Sequence, residues 1–512
     1  MSQREQLNIQ SSLLARNTLL NFIGQAVPVL VGVATIPFVV RGLGTERFGL
    51  LSLAWVILSY FGIFDLGLGR ATTKFVAEAL GKGEEDEIPR IVWTTVMIQA
   101  AMGVAGAVVL AAVTPLLVER ILNIPAKLVG EAKATFYISA FSVPVVLISG
   151  SLRGVLEASQ RFDLVNAIKI PSSVLTFLLP LVGVLLGFNL PGIVALILMA
   201  RVGALAAFMI IEFRLRPRLR KFSGSLSLFP RLFSFGGWVT VTSVVSPILV
   251  YLDRFLIGSL LSMGAVAYYS VPYEAIARLR IISTSLTITL FPAFSALEGI
   301  KDRQKLGTLF ARSAKYVLLV LGPVVLVIGL FAKDILQIWL GAEFAIESTV
   351  VLQILALGVL INSLARTPLA LLEGVGRPDL PAKFHLLELP IYVGIAWVLV
   401  SRWGIAGASA AWTLRVGIDA LLLFWAAFKV SRFSPRLLAA NGTTVASFAL
   451  VMLAGMAYGL KTLAGALPFF LQSLLIIMLI VSFTWFSWRR VLDASDRGAV
   501  LKAVKLWKRG TT

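Results

Sequence analysis

The chain has no cysteine and one histidine, His385, in 512 residues. That excludes disulfides, thiolate metal centres, haem attachment, cysteine nucleophiles and a histidine-rich metal site. Charge is scarce too. Charged residues make up 14% of the sequence and hydrophobic residues 58%, against about 25% and about 45–50% in soluble domains. The mean hydropathy is +0.90. Apolar residues are abundant and gather into runs of bilayer length. The composition is that of an all-α polytopic membrane protein.

About fourteen spans can be placed, each near the length of roughly 20 residues that a hydrocarbon core demands. They fall at 17–40, 48–68, 92–113, 134–156, 168–188, 191–213, 235–257, 268–294, 314–332, 348–372, 385–401, 404–428, 443–462 and 467–488. The first run, Leu19–Val40, holds two prolines and has no small-residue cleavage pattern behind it, so it reads as an uncleaved signal anchor.

Net charge is +20, from 46 Lys+Arg against 26 Asp+Glu. With the amino terminus inside, the inner segments hold 32 of these cations and the outer segments 8. This asymmetry predicts both termini in the cytoplasm and accounts for the basic excess without nucleic acid. The tail Ala499–Gly510 places Val500, Val504 and Trp507 at helical spacing among lysines, the pattern of an amphipathic helix on anionic lipid.

The chain repeats itself. "LEASQRFDL" (156–164) and "LEGVGRPDL" (372–380) share L-E-x-x-x-R-x-D-L at an offset of 216. "RVG" at Arg201–Gly203 recurs at Arg415–Gly417, and Gly192 and Gly407 each open the sixth span of a half. A six-span unit returns the chain to its starting side, so the copies are parallel repeats about an axis along the membrane normal. The expected organisation is an N-lobe at 1–222, a C-lobe at 223–440, and two extra spans with the tail at 441–512.

The passage Arg41–Glu78, with "YLDRFLIG" (251–258), "YYSVPYEAIARL" (268–279), "LFPAFSAL" (290–297), "LEGVGRPDL" and "GIAGASAAW" (404–412), resembles bacterial oligosaccharide flippases of the polysaccharide-biosynthesis (Wzx-type) family. The resemblance runs through nearly the whole chain. It implies the fold of the multidrug/oligosaccharidyl-lipid/polysaccharide exporters, MATE-like, with two six-helix lobes around a central cavity and two extra helices. It further implies movement of a polyprenyl-diphosphate-linked oligosaccharide between leaflets of a bacterial or archaeal cytoplasmic membrane. The implied partners are that lipid-linked substrate, membrane lipids and glycan polymerase or assembly proteins, with a monomer as the default state.

Ionised side chains at mid-bilayer are functional candidates by default. Arg278 and Arg280 lie near the midpoint of span eight, and Arg366 lies on span ten; a guanidinium there could grip a diphosphate through two oxygens. Arg201 and Arg415 hold equivalent repeat positions, which also suits a role in the fold. Glu274 lies four before Arg278, Asp419 four after Arg415, and Asp253 adjoins Arg254, so part of this charge is expected to be neutralised internally. Asp65 reads as a cap or a partner of Arg70, or else as a gating or cation-coupling carboxylate. Asp253 and Glu274 suit an outer gate. Glu157–Arg161–Asp163 and Glu373–Arg377–Asp379 are expected loop ion pairs.

Neither "GLGTERFG" nor "GVGRPDLP" has the strand–helix context of a phosphate loop, and no segment could be a soluble ATPase domain. No cofactor or metal is expected, and no catalytic residue. A drug or cation antiporter on the same fold would want acids and aromatics in its cavity. A membrane glycan polymerase or glycosyltransferase would want a large acidic outer loop, whereas the longest one, near 113–134, carries only Glu119 and Glu131.

Overall fold

The computed structural model describes residues 27–60, 68–228, 230, 237–434, 436–463, 468–494 and 496–498. Among these residues every regular element is helical. The first part of span one (residues 17–26), Asp65 and the amphipathic tail at 499–510 lie outside the described residues, as does the side chain of Arg70.

Two compact units emerge: residues 1–271 with 396–405, and residues 272–395 with 406–512. The first holds α1 (Val27–Leu43), α2 (Thr45–Tyr60), α3 (Leu68–Lys82), α4 (Ile88–Leu116), α5 (Val129–Ala158), α6 (Phe162–Leu185), α7 (Leu190–Leu215) and α8 (Gly237–Leu260). Helix α9 (Met263–Ala277) runs on into the second unit. That unit holds α10 (Arg280–Gly299), α11 (Arg303–Leu330), α12 (Ala332–Leu340), α13 (Ala342–Gly374), α14 (Asp379–Ser431, apart from residues 396–405), α15 (Thr443–Leu463) and α16 (Phe469–Phe486). Nine stretches among the described residues are long and apolar enough to cross a membrane.

In the first unit α5 is central and packs on α3, α4 and α7. The core beneath it is built from Leu68, Phe75, Val76, Val92, Leu152, Val155, Leu156 and Phe208. In the second unit α13 holds the matching place, packed on α10, α11 and α12. Its core gathers Leu290, Phe294, Phe310 and Leu371, with Phe424, Phe428 and Phe433 ringing Phe310 at 5.5–6.0 Å between centroids.

Lipid offers no hydrogen bonds, so polar side chains inside these helices bond back to their own backbone. Thr95 donates to the Ile91 carbonyl at 2.8 Å and Ser139 to Thr135 at 2.8 Å. Helix starts are marked by acceptors. The Asn189 side chain receives the Gly192 amide at the head of α7, and Asp302 receives the Lys305 amide at the head of α11.

Three features were not apparent in the apolar pattern. The segment expected to be a plain inner loop, 69–92, contains α3, an amphipathic helix lying against α5. Gly154 allows this approach: a Cβ there would come within 2.8 Å of the Gly69 carbonyl oxygen and 2.9 Å of the Thr73 hydroxyl. Span eight, expected as one run over 268–294, is two helices. The ladder slips from four-residue to three-residue bonds at Arg278 and Leu279, whose amides donate to Ala275 and Ile276, and the Arg280 guanidinium donates to the Ala277 carbonyl at 3.1 Å. Hydropathy registers apolarity and not continuity of the hydrogen-bond ladder, so the break leaves no mark in it. Spans eleven and twelve are the two halves of α14, which meet at Gly404 with φ 57° and ψ −137°, a conformation open to glycine.

After α16 the chain folds back onto α11. Lys315, 1% exposed, donates to Asp496 at 2.5 Å, Tyr316 donates to the other Asp496 oxygen at 2.5 Å, and Arg312 reaches Asp493 at 2.6 Å.

Candidate functional site

The first unit contains a cavity of about 490 Å³ bounded by α3, α5, α6 and α7. Its polar wall follows helical periodicity. On α6, Lys169, Ser172, Ser173 and Thr176 fall at i, i+3, i+4 and i+7, which puts all four on one face. Helix α5 adds Ser149, Arg153 and Glu157, α7 adds Arg201, and α3 adds Thr73.

Three cations therefore face the cavity against one carboxylate. Arg153 and Glu157 pair at 3.4 Å, one turn apart on α5, which leaves Lys169 and Arg201 as surplus positive charge. The Nη1 atom of Arg201 is buried and has no hydrogen-bond partner among the described residues. Burying an unmatched guanidinium is costly unless an anion completes it. The donor protons of Thr73, Ser149 and Thr176 go to the carbonyls of Gly69, Val145 and Ser172, so these oxygens present lone pairs. The wall can thus grip phosphoryl oxygens with its cations and accept hydrogen bonds from sugar hydroxyls with its oxygens.

Of the residues singled out in the sequence, Arg201 and Glu157 line this cavity; Lys169 and Arg153 fall at the ends of their apolar runs and count as inner-segment charge. Arg254 lies on α8 of the first unit, and Arg278, Arg280, Arg366 and Arg415 lie in the second. Arg278 is exposed and pairs with Glu274 at 3.3 Å. Arg366 feels Arg280, Glu373 and Asp419 as its charged surroundings. Arg415, 9% exposed, lies 3.5 Å from Glu388 and 5.6 Å over the Tyr392 ring, while Asp419 faces His385 at 3.8 Å. Asp253, in the first unit, is fully buried; it receives the Tyr269 hydroxyl and the Arg254 amide.

The loop pairs need one correction. Arg161 holds Asp163 and Arg377 holds Asp379, but Glu157 turns to Arg153 instead. These two share a face of α5 one turn apart, so they meet without any loop rearrangement. Glu388 drew no attention in the sequence. Its i+3 spacing from the lone histidine was the available signal.

The family model described as "Polysaccharide biosynthesis protein" matches residues 14–298. A Shigella flexneri protein named "Putative O-antigen transporter" is 30% identical over 413 residues, covering 80% of this chain and 96% of its own length. The chain belongs to the polysaccharide biosynthesis protein family. Among solved structures, the "Lipid II flippase MurJ" in an inward closed conformation matches with a TM-score of 0.72 at 14% identity, over 93% of this chain and 99% of that one. An inward-facing MATE family multidrug resistance transporter of the MOP superfamily matches with a TM-score of 0.71 at 16% identity, over 80% and 94%. At these identities the likeness is one of fold. This polysaccharide biosynthesis protein is thus an all-helical membrane protein with the MOP fold, and its cationic cavity is built into that scaffold.

Proposed function

We propose that this protein is a flippase that moves a polyprenyl-diphosphate-linked oligosaccharide from the inner to the outer leaflet of the cytoplasmic membrane by alternating access. The carrying observation is the surplus of positive charge facing the first unit's cavity, with Arg201 lacking a carboxylate and hydroxyl oxygens lining the wall. A diphosphate supplies the missing anion and a glycan supplies hydroxyl donors. Family membership and the O-antigen transporter name of the Shigella relative support the same substrate class. A cation antiporter would meet repulsion at this wall.

On this reading the protein is a transporter and not an enzyme. Both termini face the cytoplasm, following the asymmetry of Lys and Arg, and the protein works as a monomer beside the glycan assembly proteins. Arg278, Arg280, Arg366 and Arg415 are secondary candidates for the headgroup path, and Asp65, Arg70, Asp253 and Glu274 are the candidates for gating. Lipid analysis of a strain lacking the protein tests the proposal. A glycan-diphosphate lipid is expected to accumulate and surface glycan to fall; unchanged lipid pools with normal surface glycan overturn it.

A further inference from the structure

The first half of α14 repeats the α6 face of the cavity. At the offset of 216 that relates Arg161–Asp163 to Arg377–Asp379, Lys169, Ser172 and Thr176 correspond to His385, Glu388 and Tyr392. Arg201 corresponds to Arg415 at the offset of 214 that relates the two RVG runs. In the first unit these positions border open space. In the second the place is filled from within. Glu388, 4% exposed, stands where Ser172 stands and lies 3.5 Å from Arg415; Asp419, 5% exposed, faces His385 at 3.8 Å.

Neither Glu388 oxygen receives a hydrogen bond, yet Glu388 and Asp419 lie within hydrogen-bonding reach of each other. Two carboxylates bond one another only when a proton sits between them. With His385 neutral, the two carboxylates balance the guanidiniums of Arg415 and Arg366. Arg280 and Glu373, the next charges around Arg366, balance each other. With His385 neutral and both carboxylates ionised the cluster carries no net charge, and it has atoms ready for a proton. Among the described residues no three His, Cys, Asp or Glu side chains converge as metal ligands, and two guanidiniums already provide the positive charge a bound cation would bring.

We propose that His385, Glu388 and Asp419 form a proton-binding site in the second unit, with Arg415 and Arg366 as its fixed charges, and that its occupancy biases the transport cycle. A proton taken up on this cluster leaves one uncompensated positive charge in the interior. That state is unfavourable until water or an anion reaches it, so protonation selects between conformations. The link to transport rests on the flippase reading; the site itself does not.

Because His385 is the chain's one histidine, ring-¹⁵N histidine in the full-length protein is a single-site reporter. The resonance is expected to titrate as pH is varied. In Asp419→Asn the midpoint is expected to fall by about one unit or more, since an opposite charge is removed. Glu388→Gln, an independent variant, is expected to shift it in the same direction. A ring that stays neutral throughout, unchanged in both variants, overturns the site. So does a resonance that moves on adding sodium chloride at constant pH, which would identify a sodium site. If the titration holds but the deletion strain keeps normal lipid pools, the proton site stands and the flippase reading falls.

Discussion

The Arg161 guanidinium grips both oxygens of Asp163, at 3.0 Å through Nε and 3.0 Å through Nη2. Arg377 grips Asp379 in the same way, at 2.9 and 3.2 Å, and each arginine follows a residue in left-handed backbone, Gln160 at φ 58° and Gly376 at φ 77°. A bidentate clasp fixes the turn between two long helices in each repeat. Asp163→Asn and Asp379→Asn are each expected to lower the unfolding temperature only slightly, since both clasps are solvent-screened, and to add when combined. Thermal unfolding of the purified protein measures this; equal stability of the double variant and the wild type refutes the clasp.

Arg201→Ala and Lys169→Ala are expected to lower surface glycan export about tenfold or more at normal protein abundance, the scale of one lost charge-assisted hydrogen bond. Arg201→Lys keeps the charge but loses the fork, so partial export is expected. Arg278→Ala removes an exposed guanidinium already paired with Glu274 and is expected to have the smaller effect. Normal export in both Arg201→Ala and Lys169→Ala would remove the cavity from consideration.

Gly154→Ala forces a methyl against the Gly69 carbonyl oxygen and is expected to destabilise by about 1–3 kcal/mol, as overpacking does. Cysteine pairs placed across α3 and α5 should crosslink less readily in this variant. Unchanged crosslinking and unfolding temperature would show that the close approach does not matter.

Much of this architecture is legible before any coordinates. Apolar runs of bilayer length report on a constraint imposed by the hydrocarbon core, and the all-helical membrane fold follows from them. The break at Gly404 coincides with the first residue of span twelve, but hydropathy does not show that the two spans form one bent helix. Continuity within a span is not legible: the slip at Arg278 and Leu279 depends on which carbonyl a side chain captures. Arg201 stands out because an arginine amid apolar residues is costly. Lys169 does not, because it sits at the edge of its run and counts equally well as loop charge. Glu388 and His385 gain meaning only when Arg415 and Asp419, from the second half of α14, are brought beside them.

Lys315→Met is expected to cost about 3–5 kcal/mol, since it strands the buried Asp496 carboxylate. Burial raises the Asp496 carboxyl, but hydrogen bonds from Lys315 and Tyr316 outweigh this and hold it below its ordinary value of 3.8. The stabilisation is therefore complete above that value and is lost as pH falls through the lower folded value. The wild type's advantage over Asp496→Asn should shrink only in strongly acidic solution. An advantage that does not vary with pH would exclude this pair as its source.

Lys169 and His385 stand at matching distances after the two L-E-x-x-x-R-x-D-L stretches, the positions expected of a duplicated segment. Each copy can accumulate changes without carrying them into its twin. Selection on glycan chemistry can therefore remodel the earlier copy while the later one keeps its ionisable residues, so related proteins adapted to different sugars should diverge more along α6 than along the first half of α14.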